Sequence, residues 1–218
     1  MKNLDQRNQI IEYSLKLNST NLSPLRSGNI SLRGKEEDKD GYLITPSGKK
    51  YETLKPEDIV FMNLNDELEN NDSINQPSSE WRFHRDIYLN KKDAQAIVHA
   101  HSPHATAVSS HGKSIPPFHY MIALAGGEDI KCAEYATFGT EELSKNIMKA
   151  LENRSACLMS NHGQVAFGKN LDQAFELAQE IENICQQYII ALKIGEPKIL
   201  SFKEMKKVLD KAKDYKKG

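Results

Sequence analysis

The stretch Ala94-Gln95-Ala96-Ile97-Val98-His99-Ala100-His101 is where the reading of this chain begins. Its β-branched centre predicts a strand from Ile97 to His101, ended by Pro103. Side chains two apart on a strand point to the same face, so His99 and His101 can hold one ion between them. A His-x-His pair alone commonly packs or lies at a surface. A distant histidine such as His162, in Ser160-Asn161-His162-Gly163, would complete a set with a coordination position left open, the mark of a catalytic zinc site.

Outward from this strand the periodicities alternate between helix and hairpin. Leu4 to Leu17 predicts a helix. Asn29 to Arg33 and Tyr42 to Thr45 predict a hairpin across the charged turn Lys35 to Asp40, and Asp58 to Leu64 a further strand. Asn65 to Gln76 is acidic and Asn-rich, and reads as an exposed loop or a weak hairpin. Ser78-Ser79-Glu80 opens a helix with Trp81, His84, Ile87 and Tyr88 on one face. Short helices are expected over His104 to Ser110 and Phe118 to Ala125, and a strand over Cys132 to Thr137. Thr140 caps a helix with Glu141 and Glu142 in its first turn. Cys157 to Ser160 and Gln164 to Phe167 read as paired strands. Asn170 caps the longest helix, ended by Gly195 and Pro197, and a basic helix spans about Phe202 to Lys213. The expected fold is an α/β domain of three layers, a central, mainly antiparallel sheet flanked by helices, in a single domain over residues 1–218.

Composition narrows the function. A formal net charge of -1 gives no global field for nucleic acid or anionic membrane, and no apolar run is long enough to span a bilayer. Cys132, Cys157 and Cys185 are odd in number and far apart, which indicates neither a disulfide framework nor a thiolate zinc site. A cytoplasmic protein is expected, in which histidine and carboxylate must hold any metal. Glu80 at a helix start is placed to bind a cation or move a proton, although a lone first-turn glutamate would serve only the helix dipole. Gly28-Asn29, Ser47-Gly48 and Ser78-Ser79 each set a small polar group beside flexible backbone. Together they suit a phosphate near that metal.

Taken in order, seven stretches carry a family resemblance: Ser27-Gly28-Asn29-Ile30-Ser31, Leu43-Ile44-Thr45-Pro46-Ser47-Gly48, Pro77-Ser78-Ser79-Glu80-Trp81-Arg82-Phe83-His84, Ile97 to His101, Ile115 to Ile122, Tyr135-Ala136-Thr137-Phe138-Gly139-Thr140 and Asn161-His162-Gly163. The chain resembles the class II aldolase and adducin-head family over nearly its whole length. The resemblance implies one zinc ion per subunit on His99, His101 and His162, with Glu80 as resting ligand and as acid/base when substrate is bound. It implies phosphate on Gly28, Asn29, Ser47, Gly48, Ser78 and Ser79, and an aldehyde pocket at Phe138. Tyr120 matches a proton donor that acts across a subunit boundary, Tyr215 a second functional tyrosine, and the assembly a homotetramer with sites between subunits.

The implied reaction is reversible cleavage of a ketose 1-phosphate, with L-fuculose 1-phosphate the first candidate, to dihydroxyacetone phosphate and L-lactaldehyde. Aldolases for 5-deoxyribulose or methylthioribulose 1-phosphate, a pentulose-phosphate 4-epimerase and a methylthioribulose-1-phosphate dehydratase are the alternatives. A non-catalytic adducin head has no need of Glu80 together with three histidines. The stretch Ser23-Pro24-Leu25-Arg26-Ser27 departs from the family pattern, as do the longer Asn-rich loop from Asn65 to Gln76 and the tail that ends soon after Tyr215. Arg26 in the first of these reads as a solvated side chain, with a phosphate contact the alternative. His84 and His104 are expected to pack or hydrogen-bond, and His111 to be exposed.

Overall fold

Alternating apolar and polar positions build the sheet, and 3.6-residue stripes build the helices that cover it. The computed structural model describes residues 1–65 and 76–215, with side chains up to residue 212. Its helices are α1 (Leu4–Ser19), α2 (Trp81–Asn90), α3 (Pro103–Ser109), α4 (Glu141–Ala150), α5 (Leu171–Ile194) and α6 (Phe202–Tyr215). Its strands are β1 (Asn29–Glu36), β2 (Lys39–Ile44), β3 (Val60–Asn63), β4 (Ala96–Ala100), β5 (Cys132–Ala133), β6 (Ala156–Met159) and β7 (Gly163–Gly168). They form one seven-stranded sheet in the order β3-β2-β1-β4-β7-β6-β5. Every pairing is antiparallel except β5 with β6.

The sheet feeds two cores. Ile30, Leu32, Leu43, Ala96, Val98 and Ala100 pack with α1, α3 and α5 through Ile10, Leu17, Ala105, Phe175 and Ile181. Tyr42, Ile44, Val60, Met62, Ile97, Val165 and Phe167 pack with α2 and α4 through Phe83, Ile87, Tyr88, Leu143 and Ile147. Odd and even positions of β4 therefore face different cores. His99 follows Ile97 to the face covered by α2, and this positions the site.

Two expected caps hold: Thr140 accepts from Leu143 N–H and Asn170 from Gln173 N–H. Several boundaries move, among them the hairpin turn expected over residues 35–40, which narrows to Glu37 and Asp38 because β1 runs to Glu36 and β2 starts at Lys39. Pro56–Asp58 forms a 3₁₀ turn, with the Asp58 side chain accepting from Lys55 N–H at 3.0 Å, so β3 starts at Val60 rather than Asp58. Tyr120–Ala125 is a 3₁₀ turn, not an α-helix from Phe118. β5 stops at Ala133, where Ser160 N–H closes on the Ala133 carbonyl, and the chain from Glu134 to Thr140 turns toward the pocket instead of continuing to Thr137. The helix expected from Ser78 begins at Trp81. The expectation for Asn65 to Gln76 lies outside the described residues apart from its two ends. No helix is long and apolar enough to cross a membrane among the described residues.

Candidate metal and substrate site

Four elements deliver the cluster. β4 presents His99, and His101 follows one residue beyond its end. The turn from β6 into β7 presents His162, with Asn161 in the left-handed conformation at φ 54° and His162 N–H bonded to Met159 O at 3.1 Å. Gly163 is needed beside it, because a β-carbon there would lie 2.4 Å from the Ala100 carbonyl. Gly28, at φ 108°, likewise lets the start of β1 approach the His99 carbonyl, which a β-carbon would meet at 2.7 Å. Glu80 stands at the N-cap position of α2. The segment before it is pinned to the end of β2 by Ser78 N–H on Thr45 O at 3.0 Å and Ser47 N–H on Gln76 O at 2.9 Å.

The ligand atoms of Glu80, His99, His101 and His162 lie within 4.8 Å of one another. Glu80 Oε2 is 3.1 Å from His99 Nε2, and Oε1 is 3.3 Å from His162 Nε2. The His99 and His101 Nε2 atoms are 3.0 Å apart. The three rings meet edge to face with centroids 4.8 to 4.9 Å apart. His99 Nδ1 donates to the Gln164 carbonyl at 2.8 Å, which leaves its Nε2 lone pair facing the cluster. Glu80 Oε1 is buried and makes no hydrogen bond among the described residues. An orphaned carboxylate oxygen and three converging imidazole nitrogens satisfy the donor chemistry of a transition-metal site with an open position. The sequence-expected set of Glu80, His99, His101 and His162 is thus brought together as one metal-binding cluster.

Electrostatics agree with that reading. Burial by itself would raise the Glu80 carboxyl, but His99, His162 and the Asn29 amide hold it well below the usual carboxylate range. Burial opposes the charge on His99, and Glu80 more than reverses this, so His99 is raised. Burial and then the His99 charge lower His101 to about 3 and His162 to about 4. Burial lowers fully enclosed His84 to about 3 against its ordinary 6.5.

For a base whose pKa is depressed on folding, the unfolded chain binds more protons between the two values, and stability is lost as pH falls through that window. His84, His101 and His162 act this way below 6.5. Raised His99 acts oppositely, and only above 6.5, where its stabilisation fades as pH rises through its folded value. The metal-free protein is therefore expected to unfold at lower urea at pH 5 than at pH 7. For a buried group such as His84 the loss reaches about 1.4 kcal/mol per pH unit. Urea titrations in chelator at the two pH values check this, and an equal or higher midpoint at pH 5 contradicts it.

A pocket of about 360 Å³ opens above the cluster, lined by Gly28, Asn29, Ser47, Gly48, Ser78, Ser79, Glu80, His101, Phe138 and His162. All three expected turns reach it. Asn29 has its side chain turned inward, with Nδ2 donating to Glu80 Oε2 at 2.9 Å. Gly139 lies close against Ser79, and Arg82 Nη1 donates to its carbonyl at 2.8 Å, which holds the exposed Phe138 ring at the rim. Tyr120 is 54% exposed and does not line this pocket within one chain. Tyr215 ends α6, and its side chain lies outside the described residues.

Five lining residues were not singled out from sequence: Ser27, Pro46, Tyr135, Ala136 and Asn161. Arg26 is exposed, as the solvent reading expects, and it also lines the pocket. Its Nη1 donates to the Gly48 carbonyl at 2.8 Å, and among the described residues it is the one Lys or Arg in the lining. The signal was its place beside Gly28-Asn29. Tyr135 and Asn161 each lie within a quoted stretch, next to or near a selected residue.

The family model for the class II aldolase and adducin N-terminal domain matches residues 8–189. The chain is 46% identical over 208 residues to an L-fuculose phosphate aldolase of Escherichia coli, covering 95% of this chain and 94% of that protein. It is 44% identical over 209 residues to a 5-methylthioribulose-1-phosphate/5-deoxyribulose-1-phosphate aldolase of Rhodospirillum rubrum, covering 96% and 91%. A solved L-fuculose 1-phosphate aldolase superposes with a TM-score of 0.89 at 39% identity over 98% of each chain. With the fold, the metal cluster and these relatives in agreement, the chain belongs to the class II aldolase and adducin N-terminal domain family.

Proposed function

We propose that this chain is a zinc-dependent class II aldolase that reversibly cleaves L-fuculose 1-phosphate to dihydroxyacetone phosphate and L-lactaldehyde. The observation that carries the proposal is the Glu80, His99, His101, His162 cluster at the floor of a pocket walled by three small-residue turns. These four residues would hold the ion. Lewis-acid stabilisation of the negative charge left on the dihydroxyacetone fragment is the chemistry a bound zinc supplies. Gly28, Asn29, Ser47, Gly48, Ser78 and Ser79 take the phosphate, and Phe138 borders the aldehyde. Glu80 moves the proton at the dihydroxyacetone carbon, and Tyr120 handles the proton on the aldehyde oxygen.

The 54% exposure of Tyr120 supports its action on a neighbouring subunit's site, in a cytoplasmic homotetramer with Tyr215 in a supporting role. The unit is a single three-layer domain over residues 1–218, for which helices over both sheet faces speak.

A second reading, cleavage of 5-deoxyribulose or methylthioribulose 1-phosphate, has the Rhodospirillum rubrum relative in its favour. The two readings differ only in the aldehyde half. Pocket contacts there change specificity by about 1–3 kcal/mol each. The epimerase and dehydratase alternatives act on the same framework.

Release of dihydroxyacetone phosphate from L-fuculose 1-phosphate, with chelation and zinc add-back, tests the proposal. Zinc-dependent release is expected, and a panel of ketose 1-phosphates ranks substrates. No release from zinc-loaded protein on any member contradicts the aldolase reading. Tyr120→Phe is expected to retain metal and lose about 10²- to 10⁴-fold in cleavage rate. An unchanged rate removes Tyr120 from the proton path.

A further inference from the structure

Behind Glu80, on the side away from the pocket, a row of buried polar side chains runs between β1 and α2. Asn29 and Ser31 are two apart on β1. Glu80, His84 and Tyr88 are four apart along α2 and its N-cap. Two strand residues advance about 6.6 Å and four helical residues about 6 Å, so the two rows stay in step. Ser31 and His84 are fully enclosed, and Tyr88, Asn29 and Glu80 are 2, 3 and 6% exposed. Such groups remain buried only when hydrogen-bonded.

The bonds have one consistent direction. Ionised Glu80 can only accept, so the Asn29 amide nitrogen faces Oε2, at 2.9 Å, and the Asn29 oxygen faces away. That oxygen meets His84 Nε2 at 2.5 Å, so Nε2 carries the proton. Burial keeps His84 neutral, so its Nδ1 accepts from the Ser31 hydroxyl at 2.7 Å. Ser31 oxygen then accepts from Tyr88 OH at 2.8 Å. Every donor in the row points toward the carboxylate. Phe83 stacks on His84 with centroids 4.6 Å apart and holds the ring plane.

We propose that His84 and Ser31, with Tyr88 behind them, are positioning residues for Glu80, acting through Asn29. They hold Asn29 in the one amide orientation that donates to Oε2, and so leave Oε1 directed at His162 and the metal position. Without the His84 N–H, Asn29 can rotate its oxygen against the carboxylate, and Glu80 loses its fixed rotamer. This inference rests on the reading of Glu80 as metal ligand and acid/base. The motif is legible as Asn-x-Ser in a strand facing Glu-x₃-His-x₃-Tyr on a helix.

The test compares His84→Leu with His84→Gln, whose amide can restore a donor to Asn29. Two readouts are used: zinc affinity against a chromophoric chelator, and solvent deuterium exchange into dihydroxyacetone phosphate without aldehyde. Loss of an outer hydrogen bond to a ligand costs about 10- to 100-fold. His84→Leu is expected to lose that much in both, and His84→Gln to stay within about threefold of the parent. Glu80→Gln is the control for the underlying reading. If it exchanges deuterium at the parent rate, the acid/base role of Glu80 fails, while zinc affinity still tests the positioning. If Glu80→Gln loses exchange and His84→Leu matches the parent in both readouts, the inference is overturned. Equal impairment of His84→Leu and His84→Gln also overturns it. Should His84→Leu not fold, Ser31→Ala breaks the same row one link further back. Its expected loss is threefold or more, and no loss overturns the proposal.

Discussion

His162→Ala is expected to fold and to emerge from purification without its metal or its cleavage activity. Of the three histidines it gives the cleanest variant. His99 is fully buried and bonded to Gln164, so its removal disturbs the β4–β7 pairing as well as the cluster. His162 sits in a turn, with its side chain 11% exposed and no hydrogen bond to its ring nitrogens among the described residues. What it contributes is one face of a triangle of imidazoles, 4.9 Å from the His99 centroid and 4.8 Å from that of His101. Alanine leaves two histidines and a carboxylate, and Glu80 Oε1 without its facing partner. The loss should exceed the roughly 10- to 100-fold typical of an outer hydrogen bond to a ligand. Elemental analysis of the gel-filtered protein, beside circular dichroism and cleavage assays, checks this. Full zinc stoichiometry in folded His162→Ala would sink the ligand assignment.

Glu80→Gln carries the second large effect, expected at about 10²- to 10⁴-fold in turnover with the fold intact. The substitution is nearly isosteric. Its oxygen can still accept from Asn29, and Phe83 and Trp81 of α2 are unaffected. What it removes is the charge that raises His99 and the only carboxylate in the cluster. It also places an amide N–H among imidazole nitrogens whose lone pairs should converge on a cation. Zinc binding is expected to weaken yet persist through the three histidines, so turnover is measured at saturating zinc. A turnover within threefold of the parent under those conditions contradicts the proton-transfer role.

Much of this was readable without coordinates. The caps at Thr140 and Asn170 follow from a side-chain oxygen three residues ahead of a free N–H, a purely local condition. The longest helix declared itself by its apolar stripe and its terminal Gly195. The misplaced boundaries cluster where local pattern and tertiary demand diverge. Cys132 to Thr137 has strand-like residues, but the sheet needs only two of them before the chain must turn to bring Tyr135 and Phe138 to the pocket. Arg26 resembled any surface cation in sequence, because its partner, the Gly48 carbonyl, is supplied by a different turn.

The metal pair marks the boundary between the two kinds of information. That His99 and His101 can face one ion was legible in sequence, since the two-residue period of a strand is a property of the backbone. That Glu80 and His162 close on them was decided by the tertiary structure. It required β1 and β7 to flank β4, and glycines at 28 and 163 to admit the close approach of neighbouring carbonyls. The row from Tyr88 to Glu80 belongs to the same class. Ser31, His84 and Tyr88 look like ordinary residues in sequence, and only the packing of α2 on β1 sets the strand and helix repeats in step with Asn29 and Glu80. Periodicity is local and travels with the chain. Convergence depends on which elements become neighbours, and that is settled by burial of the two cores across the whole sheet.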